Sequence, residues 1–275
     1  MPKAFDVHTH TQFAAYENDY KDVIKRSLDD GIWILNIGTQ RDTSLRAIEI
    51  ADSYEEGVYA TVGLHPIHTE KSYHDEKELG LNEAEFTSRG EEFDYSYYKK
   101  LALNSKVLAI GECGLDYYRL SEESKDRQSY VFLEQMKLSQ DVKKPLMIHC
   151  RNAFIDLVEI IEKHKNLLNE YPGIVHFFTG NKEDASKLLD LGFCFSFGGV
   201  ITFTSDYEEV IKHIPIENIC LETDAPYVAP SLYRGKRNEP AFILETARKI
   251  GELKNLSFEE VCEATTKNAR RVLKV

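Results

Sequence analysis

A chain of 275 residues, 42% hydrophobic and 29% charged, has enough apolar material for a sizeable core, and its net charge of −12 excludes a protein that coats nucleic acid non-specifically. Any phosphate-bearing substrate must then be held by a local cationic patch or by metal. The five cysteines form no CxxC pair, no charged-then-apolar leader opens the chain, and no apolar run is long enough to span a membrane, so a cytoplasmic protein is expected.

Residues 4–8 read as a first strand. Residues 19–30 suit a helix, with Val23, Ile24 and Leu28 at helical spacing. A second strand over 32–38, a helix over 44–54 and a third strand over 58–63 follow. The stretch 69–92 is polar, charge-rich and weakly periodic, and reads as a surface insertion with helical parts over one end, of a length often used for lids. A helix over 94–103 leads to a fourth strand, 107–111. A long helix over 122–143 stops before Pro145, and the fifth strand is 146–149. Then come helix 153–168, strand 174–178, helix 183–191, strand 193–197, helix 206–213, strand 219–222 and helix 240–251. A last helix is capped by Ser257, with Glu260 completing a capping box. Eight strands alternating with helices predict an α/β fold: a TIM (β/α)8 barrel forming a single domain over 1–275, with one extra C-terminal helix and an insertion after strand three.

In such barrels the active site lies at the C-terminal ends of the strands. Strand one supplies His8 and His10, which alternation puts on one face together with Asp6. Strand four is followed by Glu112, strand five ends in His149, strand six carries His176, and strand eight is followed by Asp224. Six such residues exceed the three protein ligands of a typical catalytic zinc and suit two divalent ions (Mg, Mn or Zn), with imidazole favouring zinc and its relatives. Glu112 is the expected bridge. His8, His10 and Asp224 are assigned to one ion and His149 and His176 to the other, with Asp224 also orienting or deprotonating the attacking water. Asp6 is left as a supporting residue, orienting a histidine.

Asp6-Val7-His8-Thr9-His10, Gly63-Leu64-His65-Pro66, Gly111-Glu112-Cys113-Gly114-Leu115-Asp116, Ile148-His149-Cys150-Arg151, His176-Phe177-Phe178-Thr179-Gly180, Glu222-Thr223-Asp224-Ala225-Pro226-Tyr227 and the run from Arg234 to Pro240 together resemble the signature blocks of the TatD family, in order and over essentially the whole chain. The resemblance implies a metal-dependent deoxyribonuclease of the amidohydrolase superfamily, hydrolysing DNA often from the 3′ end of single strands. It carries the metal positions onto the same six residues. Three features depart from the family pattern: Phe177-Phe178-Thr179-Gly180 where Cys-Phe-Ser-Gly is usual, Cys150 for a commoner serine, and the length of the 69–92 insertion.

Beyond the six, His65 is a candidate substrate contact. Arg151 and the basic run Arg234, Lys236 and Arg237 are candidate phosphate contacts, since guanidinium suits bidentate phosphate binding. Tyr117, Tyr118 and Tyr227 are placed to stack on a base or to pack. Asn238 is read as a cap for the helix that Pro240 starts. Cys113 and Cys150 are expected to face away from the lumen, and Cys194, Cys220 and Cys262 to lie in the core. His68, His74, His164 and His213 read as ordinary surface or helix residues. The expected activity is 3′–5′ exonucleolytic cleavage of DNA by a monomer, with metal-bound hydroxide as nucleophile and no membrane partner. The alternatives are a metal-dependent ester or amide hydrolase, such as one deacylating D-aminoacyl-tRNA, and a non-catalytic barrel stabilised by metal. A purely structural ion would need only about four ligands, which disfavours the last.

Overall fold

In a computed structural model the chain closes into an eight-stranded parallel barrel in the order β1-β8-β7-β6-β5-β4-β3-β2. The strands are β1 (Ala4–Thr9), β2 (Ile32–Asn36), β3 (Val58–Val62), β4 (Val107–Asp116), β5 (Leu146–Arg151), β6 (Gly173–Val175), β7 (Cys194–Phe197) and β8 (Ile219–Leu221). Helices α1 (Tyr20–Asp29), α2 (Arg41–Ala51), α3 (Tyr95–Ala102), α4 (Glu122–Val142), α5 (Phe154–Lys163), α6 (Lys182–Asp190), α7 (Glu208–His213) and α8 (Ile243–Lys254) each follow one strand, and α9 (Phe258–Leu273) is the extra C-terminal helix. The structure describes residues 1–71, 90–118 and 124–275 throughout, and the backbone alone at 73–74, 86–87 and 122–123. Within the insertion, Tyr73–His74 pairs antiparallel with Phe86–Thr87. The expectations of helical parts, a lid and a surface His74 lie outside the described residues.

The strands read as near-continuous apolar runs because both of their faces are covered. Inside the barrel, Phe5, Leu35, Met147, Ile174, Cys194 and Cys220 pack with Val272 and Leu273 of α9, which closes the N-terminal end. Outside, Ile34, Val62, Ile148 and Phe195 meet Ile48, Phe132, Leu157 and Leu188 of the surrounding helices. The Ser257–Glu260 capping box starts α9, and its Asn268 Nδ2 donates to Ile216 O at 2.7 Å and Ile219 O at 2.8 Å.

Two register shifts sit near the mouth of the barrel. Asp6 pairs with Ile34 and Thr9 with Asn36, so three steps of β1 oppose two of β2. Ile110 pairs with Leu146 and Cys113 with Ile148, the same excess on β4. An extra residue breaks alternation and re-aims the side chains beyond it. Phe5 and Val7 join the inner core, and the histidines after the β1 shift reach the mouth. The alternation expected to group Asp6 with His8 and His10 therefore fails. Asp6 instead accepts from the amide of His8 at 3.2 Å, from the amide of Thr223 at 3.0 Å and from the Thr223 hydroxyl at 2.5 Å. It ties β1 to the loop after β8 and orients no imidazole. Gly111 marks the β4 shift: its φ is +151°, and a Cβ there would run into the carbonyl of Met147 on β5.

Candidate metal centre

His8, at the β1 shift, has its Nε2 3.5 Å from Glu112 Oε2 and 3.6 Å from Asp224 Oδ1. Its ring stacks on that of His176, with centroids 3.7 Å apart and planes inclined by 13°. His10 donates from Nδ1 to the carbonyl of Ile37 at 3.0 Å, since a carbonyl only accepts. Its Nε2 therefore faces Asp224 Oδ1, 3.4 Å away. Across the mouth, Glu112 Oε1 lies 2.8 Å from His176 Nε2, 3.1 Å from His149 Nδ1 and 3.2 Å from His65 Nε2. His149 Nε2 donates to Asp116 Oδ2 at 2.9 Å, which turns its Nδ1 to the centre. His65 Nδ1 accepts from the amide of Ile67 at 3.2 Å, so the neutral ring carries its proton on Nε2 and donates it to Glu112.

Long-range hydrogen bonds hold these positions. Two buried glutamines of α4 each clasp a strand-end backbone with both ends of the amide. Gln128 takes the N–H of Asp116 at 2.8 Å and gives to its carbonyl at 3.0 Å. Gln135 does the same to Leu64, at 2.9 Å each way, and so fixes the entry to His65. On the other side, Asn238 Nδ2 donates to Thr223 O at 2.8 Å and Tyr227 O at 2.7 Å, while its main-chain carbonyl accepts from the Tyr16 hydroxyl. Asn238 thus shapes the loop around Asp224 rather than capping the helical turn at Pro240. Phe177, Asp224 and Val228 adopt left-handed φ values of 43°, 53° and 47°. Such conformations in non-glycine residues collect at functional sites.

The electrostatics call for cations. Burial pushes Glu112 up, but the neighbouring His65, His176 and His8 hold it well below the usual carboxylate range. Burial opposes charge on His149, yet its hydrogen bonds to Asp116 and Glu112 lift it to about 10. Burial pushes Asp116 up, but the hydrogen bond to His149, the charge of that ring and the amide of Tyr118 together bring it down to about 2. Burial and the charge of His176 drop His8 to about 3. Asp224 is raised by burial but lowered on balance by the His10 hydrogen bond and the charges of His8 and His10. Both ring nitrogens of His8 and Nδ1 of His176 are buried with no hydrogen-bond partner. Buried polar atoms normally find partners, and a divalent ion at His8 Nε2 would supply one. Three sets of side chains have donor atoms close enough together to hold an ion: His8, Glu112 and His176; His8, His10 and Asp224; and His65, Glu112 and His149. Imidazole and carboxylate donors in these numbers fit a divalent metal.

The centre opens into a cavity of about 440 Å³, walled by Phe13, Ile67, Arg151, Phe177, Tyr207 and Tyr227 among others. Of the expected substrate contacts, His65 and Arg151 line it; Arg151 also lies 3.6 Å over the ring of Tyr118. The basic run does not act as one clamp. Arg237 is committed to Asp19 at 2.9 and 2.6 Å and to Ala15 O at 2.7 Å, whereas Arg234 and Lys236 are exposed outside the cavity wall. Tyr227 lines the cavity, while Tyr117 packs with its hydroxyl on Asp156 at 2.8 Å. His68, expected at the surface, is buried in the cavity wall; His213 is exposed, with Nε2 2.9 Å from Ser186 Oγ. Cys113 faces away, with Sγ 3.4 Å from Met147 O, and Cys150 packs in the same outer core while its residue also borders the cavity. All five cysteines are buried and unpaired. Asp116, Gln128 and Gln135 are the contributors that sequence reasoning missed, and Asn238 is the one it assigned to a cap. The glutamines' spacing of seven on the inward face of a long helix was the available signal.

At the mouth of the barrel five histidines, His8, His10, His65, His149 and His176, gather with Asp116 and Asp224 about the buried Glu112, a donor set suited to a metal-dependent hydrolase. The family model described as TatD related DNase matches residues 5–274, and the chain belongs to the TatD family. It is 36% identical over 274 residues to YabD of Bacillus subtilis, named an uncharacterized metal-dependent hydrolase, covering 98% of this chain and 99% of that protein. It is 29% identical to the 3′-5′ ssDNA/RNA exonuclease TatD of Yersinia pseudotuberculosis, with 98% and 99% covered. The crystal structure of YjjV, a TatD homologue from Escherichia coli, superposes with a TM-score of 0.83 at 26% identity, covering 99% and 98% of the two chains. Among the described residues, no helix is long and apolar enough to cross a membrane.

Proposed function

We propose that the protein is a phosphodiesterase that removes nucleotides from the 3′ ends of single-stranded DNA, using two divalent ions. The observation that carries this reading is Glu112, whose Oε2 faces His8 while its Oε1 faces His149 and His176. One carboxylate is thereby offered through different oxygens to His8 and to His149 and His176, and would be shared by two divalent ions held there. His8, His10 and Asp224 would hold one ion and His149 and His176 the other. When bound, the ions supply positive charge to the phosphate oxygens and lower the pKa of a water. Asp224, ionised at neutral pH, engages His8 and His10 through Oδ1, and its Oδ2 would take the water's proton. Arg151 lies in the wall where it can meet a phosphate, and the wall residues Phe177 and Tyr227 are aromatic and would pack against the terminal base. A cavity of about 440 Å³ suits a single nucleotide better than a base pair, which favours a free end as substrate.

The test is incubation of the purified protein with 3′-labelled single-stranded DNA in Mg²⁺ or Mn²⁺, with and without chelator. Release of labelled mononucleotide that stops with chelator is expected. Intact DNA in a preparation shown to hold metal refutes the reading, and faster release of amino acid from D-aminoacyl-tRNA replaces it.

A further inference from the structure

Glu222 directly follows β8 and is completely buried, a place where a carboxyl is costly unless partners compensate. Its Oε2 accepts from the hydroxyl of Ser196 on β7 at 2.5 Å, and its Oε1 has no hydrogen-bond partner. Among the described residues, the one basic side chain in ion-pair range of it is His176, whose Nδ1 lies 3.8 Å from Oε2. That nitrogen is itself buried without a partner. Buried polar atoms are normally satisfied. Here two that are not belong to side chains that face each other, at the His176 nitrogen that does not meet Glu112.

His176 Nε2 lies 2.8 Å from Glu112 Oε1, and a neutral ring donating there bears its single proton on Nε2. A ring that holds an ion through Nε2 bears that proton on Nδ1 instead, and a metal-bound histidine generally donates its other N–H to a carboxylate or a carbonyl. His10 and His149 have such acceptors in Ile37 O and Asp116. We infer that Glu222 is the positioning residue of His176: its carboxyl accepts from Nδ1–H when His176 holds an ion, and so fixes the tautomer of the ring and the aim of Nε2. Bringing 3.8 Å to hydrogen-bond length takes a shift of about 1 Å. The bond from Ser196 holds one oxygen in place and leaves the carboxyl further acceptor sites for the ring. Glu222 touches no reacting atom; it supports the histidine after β6 as Asp116 supports the histidine of β5. The inference rests on the proposal above that His176 holds an ion, and not on the identity of the substrate.

The test is Zn²⁺ binding, read by competition with a chelating dye, in Glu222→Met and Glu222→Gln. Both keep the volume of the side chain, but only the amide oxygen of the second can accept from Nδ1–H. Glu222→Met is expected to weaken one of the two bound ions by about 10–100-fold and to leave the other unchanged, and Glu222→Gln to recover part of that loss. A side chain that merely filled space would be replaced by methionine without selective loss of one ion. A second measurement needs no variant of Glu222. In the unsubstituted, Zn²⁺-loaded protein, proton–nitrogen correlation of the histidine rings should show a proton on His176 Nδ1 that is protected from exchange, a signal identified by its absence from His176→Gln. Zn²⁺ affinity unchanged in Glu222→Met, equal weakening of both ions, or a His176 Nδ1 without a proton overturns the assignment. Where the unsubstituted protein holds two Zn²⁺, those results sink the role of Glu222 alone. A protein that takes up no Zn²⁺ sinks the metal centre, and this role with it.

Discussion

His10 and His149 are each turned by a hydrogen bond on the ring nitrogen remote from the centre, but the acceptors differ. For His10 it is the main-chain carbonyl of Ile37, at 3.0 Å. For His149 it is the carboxylate of Asp116, at 2.9 Å. The difference runs through both halves of the centre. On the β1–β8 side, Asp6 and Asn238 bind backbone groups around Asp224, and His10 answers to the main chain. On the β4–β5 side, a charged relay passes from Glu112 through His149 to Asp116, and glutamines of α4 set its frame. One half is positioned by the strand itself, while the other relies on side chains that came together only when α4 packed. The second half is accordingly the more vulnerable to single substitutions.

The largest effects should come from the residue both halves share. Glu112→Gln is expected to lower activity by more than about a hundredfold, beyond the loss from removing a supporting residue. Metal analysis should show both ions weakened, whereas His149→Ala should lose one and keep the other. A His149→Ala, His176→Ala double variant with full activity would refute the two-ion arrangement. Next comes Asp116→Asn, which keeps the shape but removes the charge that fixes His149. A loss of about 10–100-fold in metal affinity is expected, read by competition with a chelating dye. Affinity equal to that of the unsubstituted protein would mean that the relay has no function.

How far the sequence carried each half follows from the same contrast. The barrel, the extra helix and the six candidate donors were legible because strands buried on both faces read as apolar runs, and the donors fall at their ends. The Asp6 error had a local cause. Alternation assumes a regular strand, and no residue type in 4–10 announces the extra residue that shifts register. His68 misled for a different reason: a histidine in a polar loop looks solvated until the turn at Pro66–His68 folds it into the wall. Arg237 looked like its neighbours Arg234 and Lys236, and only the fold brings Asp19 to it, 218 positions away in sequence. Asp116 and the α4 glutamines were hidden because their meaning lies in partners that no spacing reveals.

A smaller effect, on stability, tests the α4 scaffold. Gln135→Ala strips partners from the buried N–H and carbonyl of Leu64, and a destabilisation of about 1–3 kcal/mol is expected in urea unfolding. No measurable change would show that Leu64 finds other partners.

The smallest effect sets the acids of the two halves against each other by sign. Burial lifts Asp6 to about 8; the hydrogen bonds from Thr223 and His8 only partly offset it, and the charge of Asp224 adds to the rise. Between about pH 4 and 8 the folded chain therefore holds a proton that the unfolded chain releases. The stability this contributes is fully present below the unfolded value of 3.8 and is lost as pH rises to about 8. Asp116, brought down to about 2, works the other way: its contribution is present above 3.8 and lost as pH falls through 2. Urea unfolding across pH 4–8 in chelator, run in parallel on the unsubstituted protein and Asp6→Asn, isolates Asp6 by difference, because Asp116 is ionised in both states over that range and the buried histidines are common to both chains. The Asp6 contribution should decline with pH in the unsubstituted protein. Asp6→Asn should remove that decline, since the amide oxygen still accepts from the two backbone amides and the new N–H can donate to Thr223 Oγ1. A decline that survives the substitution would assign it to other buried groups, and would leave the β1–β8 half held by an ionised acid, like its counterpart.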